Sequence, residues 1–173
     1  MVHAAIFVIF PFCMVFAAIS DLLSMTIANR VSLMLIAAFA VLAPLAGLDW
    51  AAYGWHFLAG AVVFAVTFGI FAIGGMGGGD AKLLTATAVW MGFGFPLLDY
   101  LITATFLGGL LTVFIVFFRK STLATMHGQN MFLRHLTGDS AGVPYGIALG
   151  AAGLLAFPQS PLVVAALQQI AAN

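Results

Sequence analysis

From its N-terminal end the chain alternates long apolar runs with short polar breaks. A helix that crosses a bilayer needs about 20 mostly apolar residues. Six runs approach or reach that length, over residues 2–19, 31–48, 55–73, about 81–98, 101–118 and about 143–157. The fourth is broken late by Gly92, Gly94 and Pro96, and the sixth is short. Residues 162–172 are too few to span; they either extend the sixth helix past Pro158 and Pro161 or lie at the interface. The pattern predicts an all-α, polytopic membrane protein with about six transmembrane helices. It shows no repeats and no low-complexity linker, so residues 1–173 are expected to form a single transmembrane domain.

Composition supports that reading. Hydrophobic residues make up 64% of the chain and charged residues 6%, with no glutamate. Soluble domains carry about 25% charged residues, so the lipid bilayer is the expected partner of most of this surface. The formal net charge is zero, which argues against a nucleic-acid partner. Cys13 is the only cysteine; it excludes an internal disulfide and any cysteine zinc cluster. The first basic residue is Arg30, after the first apolar run. A cleaved signal peptide opens with basic residues, so the first run is expected to be retained as a span.

Charge then orients the chain. Arg30 follows the first run, Lys82 the third, and Arg119, Lys120 and Arg134 the fifth. The breaks after the second and fourth runs hold Asp49 and Asp99 and no basic residue. The positive-inside rule places the odd-numbered breaks in the cytoplasm and both termini in the periplasm. Asp21, at the end of the first run, and Asp80, at the start of the fourth, then lie at the same membrane edge.

Those two aspartates are the candidates for chemistry. An aspartate at the centre of a membrane helix costs about 2.5–3.5 kcal/mol on insertion; near a helix end the cost falls, and a lone Asp21 reads equally as a helix-end residue facing headgroups. Asp80 follows Gly74, Gly75, Met76, Gly77, Gly78 and Gly79. Glycine permits unusual backbone angles and close approach of other chains, and non-helical backbone at membrane depth survives only inside protein or along a wet cavity. The plainer alternative is a flexible loop with Asp80 capping a helix. Two adjacent carboxylates suffice for peptide hydrolysis, because they do not both ionise easily and one keeps its proton. The ionised member activates water and the protonated member polarises the scissile carbonyl. Other protease chemistries lack their parts: there is no HExxH zinc motif and no G-x-S-x-G elbow. Cys13 has no nearby base, and His3, His56, His127 and His135 are scattered. No catalytic metal and no cofactor are expected. Gly142, Gly146 and Gly150 recur every four residues as a close-packing helix face. Asn29 and Arg30 are expected to cap the second helix and meet headgroups, and Lys82 to serve topology.

Residues 77–84, Gly-Gly-Gly-Asp-Ala-Lys-Leu-Leu, resemble the GxGD aspartyl proteases. More closely, the chain resembles the type IV prepilin peptidase family in its short Tad/Flp (CpaA/TadV) form. That family carries its first aspartate after the first helix, followed by a segment ending Ile-Pro-Asn; here Ser20-Asp21-Leu22-Leu23 opens it and Ile27-Ala28-Asn29-Arg30 closes it. Val143-Pro144-Tyr145-Gly146 matches a third block. The resemblance implies an aspartic endopeptidase that cleaves the short basic leader of prepilins or pseudopilins, with Asp21 and Asp80 catalytic. It implies a place in the bacterial inner membrane with the site toward the cytoplasm, and Gly77, Gly78, Gly79, Lys82, Asn29, Pro144 and Tyr145 around the site. Ala28 stands in place of the proline, and Leu23, Ser24 and Met25 in place of the usual basic residues. The CxxC domain linked to N-methylation in larger members is missing, so that activity is not implied. An archaeal-type preflagellin peptidase with the same dyad, and a small proton-coupled transporter, are the alternatives.

Overall fold

The structure, a computed structural model, describes residues 2–120 and 142–171, and among these every regular element is helical. In chain order they are α1 (Val2–Ser24), α2 (Asn29–Leu45), α3 (Trp50–Ala72), α4 (Gly78–Met91), α5 (Phe95–Lys120), α6 (Gly146–Ala156), a 3-10 turn (Phe157–Gln159) and α7 (Pro161–Ala171). The helices α1, α3 and α5 are long and apolar enough to cross a bilayer. The pair α6–α7, bent by 42° at Pro161, makes a fourth candidate span, whereas α2 has 17 residues and α4 only 14. The protein is an all-α polytopic membrane protein.

The fourth predicted run is not one helix. α4 stops at Gly92, where φ is +64°, and Gly94 has φ +133°. A Cβ on Gly92 would lie 2.7 Å from the His56 ring. Residues from Phe95 onward therefore start α5, six residues earlier than the predicted boundary at 101. α3 also begins early, at Trp50, because the Asp49 carboxylate accepts the backbone N–H groups of Ala51 and Ala52 at 3.0 and 3.3 Å, an N-cap. The terminal segment continues the sixth helix past both prolines as α7. Asp139, His127, His135 and Arg134 lie outside the described residues.

At 1.5 Å per residue α4 is about 21 Å long, short for a bilayer core of about 30 Å. It stands inside the bundle, with nine of its residues buried, packed by α2 and α3 on one side and by α5 and α6 on the other. α6 in turn lies between α1 and α5. Membrane helices gain nothing hydrophobic by leaving lipid for one another, so they associate through close packing at small residues. A Cβ on Gly60 would collide with Val89, and a Cβ on Gly150 would lie 2.8 Å from the Met14 carbonyl oxygen. Gly146, Gly150 and Gly153 face α1, while Gly142 precedes the helix and a Cβ there would meet nothing within 4 Å. The close-packing face is therefore one glycine later than the four-residue spacing suggested.

The half of the core remote from Asp21 is aromatic. Phe10 stacks on Phe157 at 4.5 Å, and Trp90 meets Phe10 at 5.0 Å and Phe39 at 5.8 Å. Such pairs contribute about 0.5–1.5 kcal/mol each. The buried indole N–H of Trp90 donates to the Leu35 carbonyl at 2.9 Å. Thr67, Thr85, Thr87, Thr105 and Thr112 each donate to the carbonyl one turn back, which satisfies hydroxyls where no water is at hand.

Candidate active site

Three helix ends meet at one end of the bundle: the last turn of α1, the first turn of α4 and the first turn of α6. Asp21 lies in the last turn of α1, three residues before its end, and is 5% exposed. Its Oδ2 accepts the Gly146 backbone N–H at 2.6 Å. A Cβ on Gly146 would sit 2.8 Å from the Asp21 Cβ and 2.9 Å from both Asp21 Oδ2 and Ile27 Cδ1. α1 closes at Met25, a non-glycine residue at φ +53° whose N–H donates to the Asp21 carbonyl at 2.9 Å. Such backbone usually belongs to glycine; at a functional site it is a marker of constraint. The turn is knitted by hydroxyls: Ser20 Oγ donates to the Thr26 carbonyl at 2.8 Å and Ser24 Oγ to the Ser20 carbonyl at 2.7 Å. Neutral hydroxyls thus order the segment that carries Leu23, Ser24 and Met25.

Asp80 is the third residue of α4, with Gly77 at the N-cap position. It is not the cap; its carboxylate lies back against Gly77. The glycines before it serve space more than backbone freedom. In this loop only Gly74 has a positive φ, +77°. A Cβ on Gly77 would lie 2.8 Å from Asp80 Oδ2, one on Gly78 3.2 Å from the Phe71 ring, and one on Gly79 3.2 Å from the Ile27 Cβ. Buried Ile27 is therefore pinned between Gly79 of α4 and Gly146 of α6.

Asp21 and Asp80 line the same space. Two adjoining cavities of about 290 and 330 Å³ have both carboxylates in their walls, together with Met25 and Gly77. Gly78 and Gly79 line one of them, and Tyr145 lines a third, of about 300 Å³, with Asp80 and Met76. Of the residues singled out in the sequence, Asp21, Asp80, Gly77, Gly78, Gly79 and Tyr145 come together. Lys82, Asn29 and Pro144 do not line this space. Lys82 Nζ donates to Asn29 Oδ1 at 2.8 Å, tying the start of α4 to the start of α2. The α2 N-cap is Ala28, with no side-chain capping bond, so Asn29 acts as a cross-helix acceptor and not as the expected cap. Pro144 is buried and its carbonyl accepts the Ile147 N–H at 3.3 Å in the first turn of α6.

Sequence reasoning passed over Gly146, Ile27 and Met25. Gly146 stood in a recognisable block but was assigned to helix packing; its role as a donor comes from the backbone, which no side-chain pattern reports. Asp49 and Asp99 are elsewhere. α3 carries Asp49 at the end opposite the glycine loop, about 35 Å away for 23 residues. Asp99 meets Gln159 at 3.5 Å. His56 Nδ1 is bonded to the Val89 carbonyl at 2.8 Å and His3 Nε2 to Gln169 Oε1 at 2.9 Å. Among the described residues no three His, Cys, Asp or Glu side chains form a group that could hold a metal ion. Two carboxylates in one cavity can divide the work of acid and base on a bound water and an amide.

A model of the type IV leader peptidase family matches residues 8–126. The match contains Asp21, the glycine loop and Asp80, and ends before Tyr145 and Gly146. No curated protein and no solved structure matches the chain.

Proposed function

The chain belongs to the type IV leader peptidase family and is a membrane peptidase; from that premise we propose that it is an aspartyl endopeptidase whose dyad is Asp21 and Asp80. The observation that carries this is the shared cavity: the two carboxylates, 59 positions apart in the numbering, line one space at a single end of the bundle. One carboxylate, ionised, takes a proton from water as the water oxygen attacks the scissile carbonyl carbon. The other, protonated, donates to the carbonyl oxygen. When the tetrahedral species collapses the C–N bond breaks, and the departing amine receives a proton from the dyad. The shared proton belongs to the pair and to neither residue alone.

The substrate is the short basic leader of a Flp-type prepilin or pseudopilin, cut just before its hydrophobic segment, at the cytoplasmic face of the bacterial inner membrane. Supporting that face, Arg30, Lys82 and Arg119 sit at the dyad end of their helices, whereas Asp49 and Asp99 sit at the other, as the positive-inside rule requires. A carrier would need a polar route through the bundle, and the cavities that hold the carboxylates are lined by residues of one end alone.

The test is co-expression with candidate prepilins, reading mature against precursor by gel mobility. Asp21→Asn and Asp80→Asn are each expected to lower cleavage by roughly 100-fold or more. The double variant adds little, because the pair acts as a unit. Asp49→Asn and Asp99→Asn stay active. A stable, fully active Asp80→Asn protein ends this proposal.

A further inference from the structure

A cavity larger than the three at the carboxylates holds neither of them. It is a groove of about 510 Å³ between α3 and α5, with Val66 and Ile70 on one wall, Leu101 and Ala104 on the other, and Leu84 and Leu149 as its floor. Its lining runs from Met76, just before α4, to Phe93, just after it. It therefore follows the whole of α4, about 21 Å, the length of a helix of about 14 residues. Its two threonines, Thr67 and Thr105, donate their hydroxyls to their own helices, so the walls present apolar surface.

Met76 and Tyr145 line this groove and also the cavity that contains Asp80. Tyr145 is fixed at the junction, its ring lying against Gly108 of α5 with no room for a Cβ there. A second apolar groove makes the contrast. It measures about 410 Å³, lies between α5 and α6, and shares no lining residue with the carboxylate cavities. Lipid chains suffice to fill that one. The groove beside α4 instead meets the Asp80 cavity at Met76 and Tyr145, so a polypeptide lying across Asp80 has this groove as its apolar neighbour.

We propose that the groove between α3 and α5 is the subsite for an apolar helical segment of the substrate, adjoining the scissile bond, with Met76 and Tyr145 at the junction. This rests on the aspartyl-peptidase reading above. The floor, Leu84 and Leu149, is buried and apolar. The subsite then selects by apolarity and length, leaving choice of the cut bond to the cavity at Asp80.

The test uses the full chain in phosphatidylcholine–phosphatidylglycerol vesicles and two substrates. One is a precursor with a basic leader and its membrane-spanning segment; the other is a soluble peptide that covers the cut bond but ends before the apolar segment. Val66 is 58% exposed on the groove wall, so Val66→Trp narrows the groove without entering the core. It is expected to slow cleavage of the precursor about tenfold or more, the scale on which apolar pockets discriminate, and to leave the peptide unchanged. Leu110→Trp, in the second groove, should alter neither. Unchanged precursor cleavage by Val66→Trp, or an equal loss with Leu110→Trp, overturns the proposal and leaves lipid as the occupant. A wild-type protein that cleaves neither substrate defeats the peptidase reading instead. Where only the peptide resists cleavage, p-benzoylphenylalanine at position 66 or 110 of the Asp80→Asn protein decides. Crosslinking of the precursor from 66 and not from 110 supports the subsite, and the reverse, or none from 66, overturns it.

Discussion

Replacing Gly146 by alanine adds one methyl group at the point where α6 meets α1. That Cβ would lie 2.8 Å from the Asp21 Cβ and 2.9 Å from Ile27 Cδ1, whereas carbon atoms in contact prefer about 3.5–4.0 Å. The helices must part by roughly 0.7 Å or more. Ile27 has little room to retreat toward α4, because it packs so closely on Gly79 that a Cβ added there would lie 3.2 Å from its own Cβ. The Gly146 N–H to Asp21 Oδ2 bond, now 2.6 Å, then stretches past the usual limit of about 3.2 Å. A hydrogen bond to a charged group is worth about 1.5–3 kcal/mol, which corresponds to roughly 10- to 150-fold in rate. Cleavage per molecule of Gly146→Ala enzyme should fall by that factor, measured as initial rate of precursor conversion normalised to enzyme in the membrane. Gly150→Ala is the matched control, since its Cβ would lie 2.8 Å from the Met14 carbonyl oxygen one turn deeper, with no carboxylate nearby. Its protein level should fall more than its specific activity. Gly142→Ala meets nothing within 4 Å and should match wild type. Wild-type specific activity in Gly146→Ala, or a loss that only tracks protein level, would refute the assignment of this N–H to the site.

Gly79→Val places a branched side chain where a Cβ alone already meets Ile27 at 3.2 Å; cleavage should drop further than protein level, and equal losses would mark the loop as scaffolding only. Reporter fusions at Asp49 and Thr125 should report opposite sides of the membrane, with Thr125 cytoplasmic; the same side for both would break the charge-based orientation. Activity should survive chelator treatment, because the proposed chemistry runs on two carboxylates; loss on chelation with recovery on adding zinc would point to a metal-dependent mechanism instead.

The apolar runs announced a helical membrane protein, and the order of charges along them already placed Asp21 and Asp80 at one edge. Both features are one-dimensional: a run length and a charge order. What stayed hidden depends on contacts between distant segments. Gly92-Phe93-Gly94 was visible as a break, yet its severity depends on the His56 ring filling the space of a Cβ at Gly92, 36 positions away in the numbering. The glycines before Asp80 looked like a source of backbone freedom. Gly77 answers to Asp80, three positions on, but Gly78 and Gly79 answer to Phe71 and Ile27, which no local pattern identifies. Leu23, Ser24 and Met25 looked like an absence of basic residues, and only the geometry shows the hydroxyls of Ser20, Ser24 and Thr26 closing the turn that carries Asp21.

Both carboxylates are served by the start of a helix. An α-helix leaves its first four N–H groups without partners inside the helix, and its N-terminal end favours a negative charge. Asp80 lies in the first turn of α4 with its carboxylate against Gly77; Asp21 receives the N–H of Gly146, the first residue of α6. At membrane depth an unpaired donor and an unpaired carboxylate are each costly, and here each removes the other's deficit. The same pairing explains why the dyad variants separate chemistry from folding. Asn at position 21 keeps an oxygen that can accept the Gly146 N–H, so the junction of α1 and α6 retains its bond. What Asn lacks is a proton to exchange at the pH of the reaction. Loss of cleavage in a well-inserted Asp21→Asn protein would therefore report the acid–base step itself.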